Sequence, residues 1–326
     1  MRAEVRVNKI LVVASAVGLC VAAAAAQAPQ PPQPPPVTPL KFAYYSAPDI
    51  KAMNATVKSG GQVKLNRIHR GDHDFQSFNF RAKSTAAPEL HNNWADLYYI
   101  VDGEVLHHTG GTLEGGTERN PGSGEFGGGK LVGAKVVRLA AGDIASSAAG
   151  SPHWWEVEPG KTVTYMTVKV LKQPNLQASI AAAGPNTPPL TPTQFVHYKA
   201  ADLKGFVDAL KRGETIKFPS VHRGDHQFQN ISHRAKSSAS AELHKNWADL
   251  YFVLDGEVTI RYGDSLEGGK EGADGEVRGG EIVGNVTRQK LAAGDIASAP
   301  AGVPHFWEVE PGKSVTYLTV KLGKKH

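Results

Sequence analysis

The chain reads as an all-β protein, mainly antiparallel, made of two copies of one domain, each opened by a short helix. Three observations predict this. About two-thirds of the positions from His69 to Glu104 are identical to those from His222 to Glu257, and self-similarity at one long fixed period marks two copies of a unit. Apolar runs of strand length, Leu97-Tyr-Tyr-Ile-Val and Leu250-Tyr-Phe-Val-Leu, each end in Asp-Gly, a turn dipeptide. Val163-Thr-Tyr-Met-Thr-Val-Lys and Val315-Thr-Tyr-Leu-Thr-Val-Lys close the two halves, each after a Pro-Gly turn. No stretch supports the strand–helix alternation of a parallel α/β sheet.

Residues 1–26 have the form of a secretory signal: a basic start, an apolar run from Ile10 to Ala26 and small residues before Gln27. Cleavage after Ala26 makes the mature protein secreted or periplasmic. The alternative is an uncleaved anchor, because the run approaches the ~17–18 residues that span a bilayer. Cys20 is the only cysteine, and Leu19 stands before it where a lipoprotein signal wants a small residue. The mature chain therefore has no disulfide and no thiol nucleophile. Residues 27–40 are proline-dense and form an extended linker. The formal charge is +5, of which Arg2, Glu4, Arg6 and Lys9 supply +2, leaving about +3. Without a dense basic run, no nucleic-acid partner is expected, and none at a membrane once the signal is removed.

The first domain covers residues 41–172. A helix begins after Ser46, where Ser46-Ala-Pro-Asp49 resembles a capping box and Ile50, Met53 and Val57 share a face. The second domain covers 195–326. Its helix, from Asp202, carries Leu203, Phe206, Val207 and Leu210 at helical spacing. Both helices are expected on the outside of their domains. Residues 173–194 have little apolar periodicity and read as the inter-domain linker. The glycine-rich stretches 109–130 and 263–284 read as long hairpin loops.

Two short motifs occur in each half. In the second half they are Glu242-Leu-His244-Lys-Asn-Trp-Ala-Asp249 on to Gly256, then Gly294-Asp-Ile-Ala-Ser-Ala-Pro300-Ala-Gly302-Val-Pro-His305. In the first half they are Glu89-Leu-His91-Asn-Asn-Trp-Ala-Asp96 on to Gly103, then Gly142 to Gly150-Ser-Pro-His153, with Ala148 in place of the proline. Side chains two apart on a strand share a face. Glu242 and His244 therefore point together, Asp249 can return to the same spot after a turn, and His305 arrives on a later strand. Two carboxylates and two imidazoles then face one point: Glu89, His91, Asp96 and His153, and again Glu242, His244, Asp249 and His305. Such a set suits a divalent metal ion, one of Mn, Fe, Zn, Ni or Cu. The structural alternative pairs Glu242 with Arg234 or Lys236 and leaves His244 as a polar lining residue.

These motifs resemble those of the cupins. In that family the first reads a glycine (absent here), then His-x-His, three or four residues, Glu, six residues, Gly, and the second reads Gly, five residues, Pro-x-Gly, two residues, His. The second motif of the second half fits at every fixed position. In the first motif Glu242 replaces the first histidine and Asp249 the glutamate. Because both halves carry the pattern, the chain resembles a two-domain cupin, or bicupin. The resemblance implies two double-stranded β-helix (jelly-roll) barrels, a small-molecule ligand, metal-assisted chemistry of the oxygenase, decarboxylase, isomerase or lyase kind, and a homo-oligomer paired through barrel faces. The oxalate-degrading members have three histidines and a glutamate, which this chain lacks. A barrel pair that binds a ligand without turnover is the other function class.

Arg81 and Lys83, like Arg234 and Lys236, are two apart in expected strands and together could hold an acidic substrate if they face inward. The repeated His69-Arg-Gly-Asp-His73 and His222-Arg-Gly-Asp-His226 blocks read as loops whose role stays open between Arg–Asp pairing across the halves, barrel-to-barrel packing and a second metal site. The five tryptophans flank the motifs as core or interface residues. No Gly-x-Ser-x-Gly elbow supports a serine nucleophile.

Overall fold

The structure is a computed structural model that describes residues 42–63, 65, 73–172, 195–222, 225–272 and 275–324. The signal and proline-rich linker, the 173–194 connection and His69 lie outside the described residues.

Each half folds as two antiparallel sheets that share one long strand. In the first half Trp94–Thr109 pairs through its first part with Ile144–Ser147 and Val163–Leu171. Through its second part it pairs with Lys135–Ala140 and His153–Glu156. His73–Arg81 widens the first sheet and Glu89–His91 the second. The second half repeats this around Trp247–Tyr262, which pairs with Ile296–Ala299, Val315–Gly323, Thr287–Ala292 and His305–Glu308. The result is two double-stranded β-helix barrels with one helix each, as the motifs implied.

The Asp-Gly dipeptides turn out not to be turns. Both long strands run straight through them, and the chain crosses from one sheet to the other there. Gly103 has φ +74° and Gly256 φ +76°, and a Cβ would fall 1.9 Å from the Thr162 carbonyl oxygen or 2.0 Å from that of Ser314. Only glycine combines that backbone with so close an approach.

Strand alternation explains the unbroken apolar runs. On Trp94–Thr109 the side chains of Tyr98, Ile100 and Val105 fill the barrel with Trp155 and Tyr165. Ala95 and Leu97 face outward into a separate core that also contains Ala248, Leu250, Phe252 and Leu318 of the other half. Strands buried on both faces need apolar residues at nearly every position. One core therefore fills each barrel and a third lies between them.

The halves also exchange strands. Ala43–Tyr45 pairs with Ile296–Ala299 on the second barrel, and Phe195–Tyr198 pairs with Ile144–Ser147 on the first. Helix α1, Ala47–Lys58, is capped by Ser46, whose side chain accepts from the Asp49 N–H at 3.1 Å. It buries Ile50 and Val57, while α2, Ala200–Lys211, buries Leu203 and Val207. The cap residue of α2, Lys199, makes no side-chain bond. Instead Asp143 of the first half accepts from Ala200 N–H at 2.8 Å, and Asp295 of the second accepts from Ala47 N–H at 2.7 Å. The aspartate after the first glycine of each second motif thus serves the helix start of the opposite half. The last histidines of the repeated blocks reach the same strands: His73 Nε2 lies 3.2 Å from Ser298 Oγ, and His226 Nε2 lies 3.0 Å from Ser146 Oγ.

The glycine-rich stretches are not plain hairpin loops. They contain short strands, among them Glu125–Gly127 and Glu276–Arg278, which pair with Glu89–His91 and Glu242–His244.

Candidate metal centre

Three cross-strand pairs build each site. In the first barrel Glu89 stands opposite His153, His91 opposite Glu125, and Asp96 opposite Lys169. In the second the pairs are Glu242 with His305, His244 with Glu276, and Asp249 with Lys321. Directly opposed residues on one face hold their side chains within contact distance, so strand register gathers the polar groups.

The donor atoms converge. Glu89, His91 and His153 each present a ligand atom, all within 4.8 Å of one another, as do Glu242, His244 and His305. Asp96 Oδ2 lies 3.3 Å from His91 Nε2 and 3.4 Å from His153 Nε2. Asp249 Oδ2 lies 2.9 Å from His244 Nε2 and 3.6 Å from His305 Nε2. All eight residues expected from the motifs are thus brought together, four in each barrel. The carboxylates of Glu89 and Glu242 stay about a quarter exposed, while both aspartates and all four histidines are buried.

The histidine tautomers follow from their outer partners. His153 Nδ1 donates to the Ser151 carbonyl and His305 Nδ1 to that of Val303, each at 3.1 Å. That leaves the Nε2 lone pairs facing the cluster. His153 Nε2 has no hydrogen-bond partner, yet it looks at Glu89 Oε1 and Asp96 Oδ2 at 3.5 and 3.4 Å. A buried lone pair facing two carboxylates is repulsive unless a cation or proton lies between them. His91 Nδ1 bonds Glu125 and His244 Nδ1 bonds Glu276, an arrangement that orients metal-binding imidazoles. The residues present fit a divalent ion.

Without an ion the cluster compensates itself by protonation. Burial alone would lower the His91 imidazole, but its hydrogen bonds to Asp96 and Glu125 win and raise it to about 9. Burial likewise opposes His244, and the charge of Asp249 outweighs it, again to about 9. Burial would raise Glu89 and Glu242, yet each is brought down to about 2, chiefly by the His153 or His305 imidazole beside it. Asp96 and Asp249 lie well below the usual carboxylate range despite burial. The Lys169 ammonium is the leading cause for Asp96, and His244 followed by Lys321 for Asp249.

A cavity of about 240 Å³ opens onto the first cluster and one of about 330 Å³ onto the second. Arg81 and Arg234 line them, their Nε groups donating to Tyr165 Oη at 2.7 Å and Tyr317 Oη at 2.6 Å. Lys83 and Lys236 do not join them. The strands end at Arg81 and Arg234, so the two-residue spacing no longer holds a face, and both lysines are exposed in the bends beyond. The tryptophans divide as well: Trp155, Trp247 and Trp307 are buried, with Trp155 and Trp307 stacked on Tyr165 and Tyr317 at 4.2 Å, while Trp94 and Trp154 are half-buried.

Sequence reasoning missed four residues. Lys169 and Lys321 are each the one charged residue of a closing strand, and a lysine repeated there in both halves was a usable signal. Glu125 and Glu276 recur as Gly-Glu inside the glycine-rich stretches, but nothing local ties them to a histidine.

No family model matches the chain, and no curated protein matches it. Among solved structures the chain is similar to a salicylate 1,2-dioxygenase from Pseudaminobacter salicylatoxidans, at 11% identity over 88% of this chain and 85% of that one, with a TM-score of 0.48. It is similar to the oxalate decarboxylase of Lactobacillus farciminis in a formate complex, at 11% identity over 77% of each chain and a TM-score of 0.35. It is also similar to AerE from Microcystis aeruginosa, at 10% identity over 80% of this chain and 96% of that one, with a TM-score of 0.42.

Proposed function

We propose that this is a secreted or periplasmic protein that holds a divalent first-row metal ion in one or both barrels and acts on a small organic substrate in the barrel mouth. The observation that carries the reading is the buried His153 Nε2 lone pair, which points at two carboxylates with no partner of its own. Glu89, His91 and His153 would hold the ion in the first barrel, and Glu242, His244 and His305 in the second, with Asp96 and Asp249 beside the histidines. When bound, such an ion supplies Lewis-acid polarisation of a substrate oxygen. Glu125 and Glu276 fix the ring orientation of His91 and His244. Arg81 and Arg234, at the cavity walls, favour a substrate with a carboxylate. The address rests on the leader, and a mature N-terminus at Gln27, read by N-terminal sequencing, would support it.

One observation favours a second reading, a ligand-binding barrel pair without turnover. Glu89, Asp96 and Glu125 are balanced by Lys169, Arg119 and a protonated His91 without any metal. Elemental analysis of the mature protein beside His91→Ala, His244→Ala and the double variant separates the two. Near-stoichiometric metal, reduced by each variant in turn, supports the metal centre. A protein that stays metal-free after incubation with manganese, iron, zinc, nickel and copper leaves the binding module.

A further inference from the structure

Resting on the metal reading above, we infer that Lys169 and Lys321 are resident cations that hold Asp96 and Asp249 outside the ligand shell. Each ion is then bound by one glutamate and two histidines, and its remaining positions open onto the cavity. In effect the lysines make the two centres open sites.

Four observations lead there. First, both oxygens of each aspartate are engaged. Asp96 Oδ1 meets Lys169 Nζ at 2.9 Å and its Oδ2 accepts from Tyr98 Oη at 3.0 Å. Asp249 Oδ1 meets Lys321 Nζ at 3.1 Å and its Oδ2 accepts from Tyr251 Oη at 2.7 Å. Second, one glutamate and both histidines in each barrel present donors mutually within 4.8 Å, a set that is complete without the aspartate. Third, the lysines are there by register. Lys169 is the cross-strand partner of Asp96 and Lys321 of Asp249. Each lysine is buried in a strand whose neighbouring residues, Val168 and Val170 or Val320 and Leu322, pack in the core between the barrels. Fourth, Lys321 also reaches Glu276 Oε1 at 3.5 Å, so one ammonium serves both carboxylates that grip His244.

Charge decides the sharing. A divalent ion drawn onto Asp249 would come close to the Lys321 ammonium in a buried setting that screens like charges poorly. Glu242 faces the cavity beside His305, and the cation on Glu89 is Arg119, a half-exposed and solvent-screened partner at 3.1 Å. Two histidines with one carboxylate form an open donor set that leaves room for exchangeable water or a substrate oxygen.

The test uses mature full-length protein in a His91→Ala background, so that only the second site binds. Manganese affinity is measured by titration calorimetry, and exchangeable water on the ion by proton relaxation. In Lys321→Met, Asp249 is freed to join the ion. Binding should tighten about tenfold, because a like charge is removed, and the water signal should fall. The Asp249→Asn/Lys321→Met double variant removes Asp249's charge with its counter-charge, leaves Glu276 to His244 and Arg278, and should bind within about threefold of its parent. The inference is overturned if the double variant loses manganese as completely as His244→Ala does, or if Lys321→Met binds no more tightly than its parent. Should the parent itself take up no manganese, nor any of the other four metals, the metal reading falls instead.

Discussion

Behind His153 in the first barrel stand His107 and Ser147, while the residues in the same register behind His305 are Ile260 and Ala299. His107 is fully buried. Its Nε2 lies 3.3 Å from Ser147 Oγ, its Nδ1 has no partner, and burial holds its imidazole well below the usual range. The second barrel fills the same space with apolar atoms and has the larger cavity. At the mouth, Arg119 holds Glu89 at 3.1 Å, whereas in the second barrel Arg278 lies 3.7 Å from Glu276 and His305 3.4 Å from Glu242. The three cross-strand pairs that gather donors are the same in both barrels, and the side chains packed around them differ. Duplication has kept the register and let the surroundings drift, so the two sites share a donor set and should differ in affinity.

The largest expected effect tests the shared part. His91→Ala and His244→Ala should each abolish uptake at one barrel, halving the metal content, because each removes a buried donor held by a dedicated glutamate. Elemental analysis checks this, and loss of both ions from one variant would mean that the barrels do not bind independently.

Acidity should act alike on both barrels. A metal needs the Nε2 that His91 or His244 keeps protonated below about 9. Affinity should therefore rise with pH, roughly tenfold per unit between pH 7 and 9, and level off above. Calorimetry in buffers of different ionisation heat measures the released protons. For the metal-free protein the sign is opposite. Histidines raised from 6.5 to about 9 stabilise the fold below about 6.5 and lose that contribution as pH rises through 9. Glutamates lowered from 4.5 to about 2 stabilise it above about 4.5 and lose it as pH falls through 2. From these groups the maximum lies between pH 4.5 and 6.5, and thermal melts across pH read it.

The exchanged strands allow a finer contrast. Asp143→Ala and Asp295→Ala each remove a helix cap donated across the two halves, at about 1–2 kcal/mol. Asp143 should cost more, because it also holds His197 at 2.7 Å, whereas Asp295 holds the Tyr44 hydroxyl at 3.1 Å. Urea melts of the two variants rank them.

Two smaller changes aim at the differences themselves. Arg119→Met should free Glu89 and strengthen only the first site, by about 1 kcal/mol or less, as expected for a partly exposed pair. His107→Ile with Ser147→Ala copies the second barrel's packing and should stabilise the fold by about 1 kcal/mol, since an unpartnered buried nitrogen disappears. A loss of stability there would mean that the first barrel has adapted its shape to the polar pair.

Much of this was legible beforehand. The repeat, the apolar runs and the turn residues announced two antiparallel β domains, and Ser46 announced its helix. Glu89, His91, Asp96 and His153 and their counterparts could be placed from alternation and motif spacing. Lys83 and Lys236 were misplaced because strand length is not encoded in a two-residue spacing. The Asp-Gly dipeptides were misread because a dipeptide does not reveal whether the next strand continues the same ladder.

By itself, then, the amino-acid order determined what is local: which segments extend, which face each side chain takes, and that the domain occurs twice. The tertiary structure decided what depends on register between distant strands. It placed Lys169 against Asp96, Glu125 against His91, and each half's first strand on the other half's barrel. Those pairings form between segments tens of residues apart, where the energy that chooses among registers comes from burying whole faces together. No short stretch contains that energy.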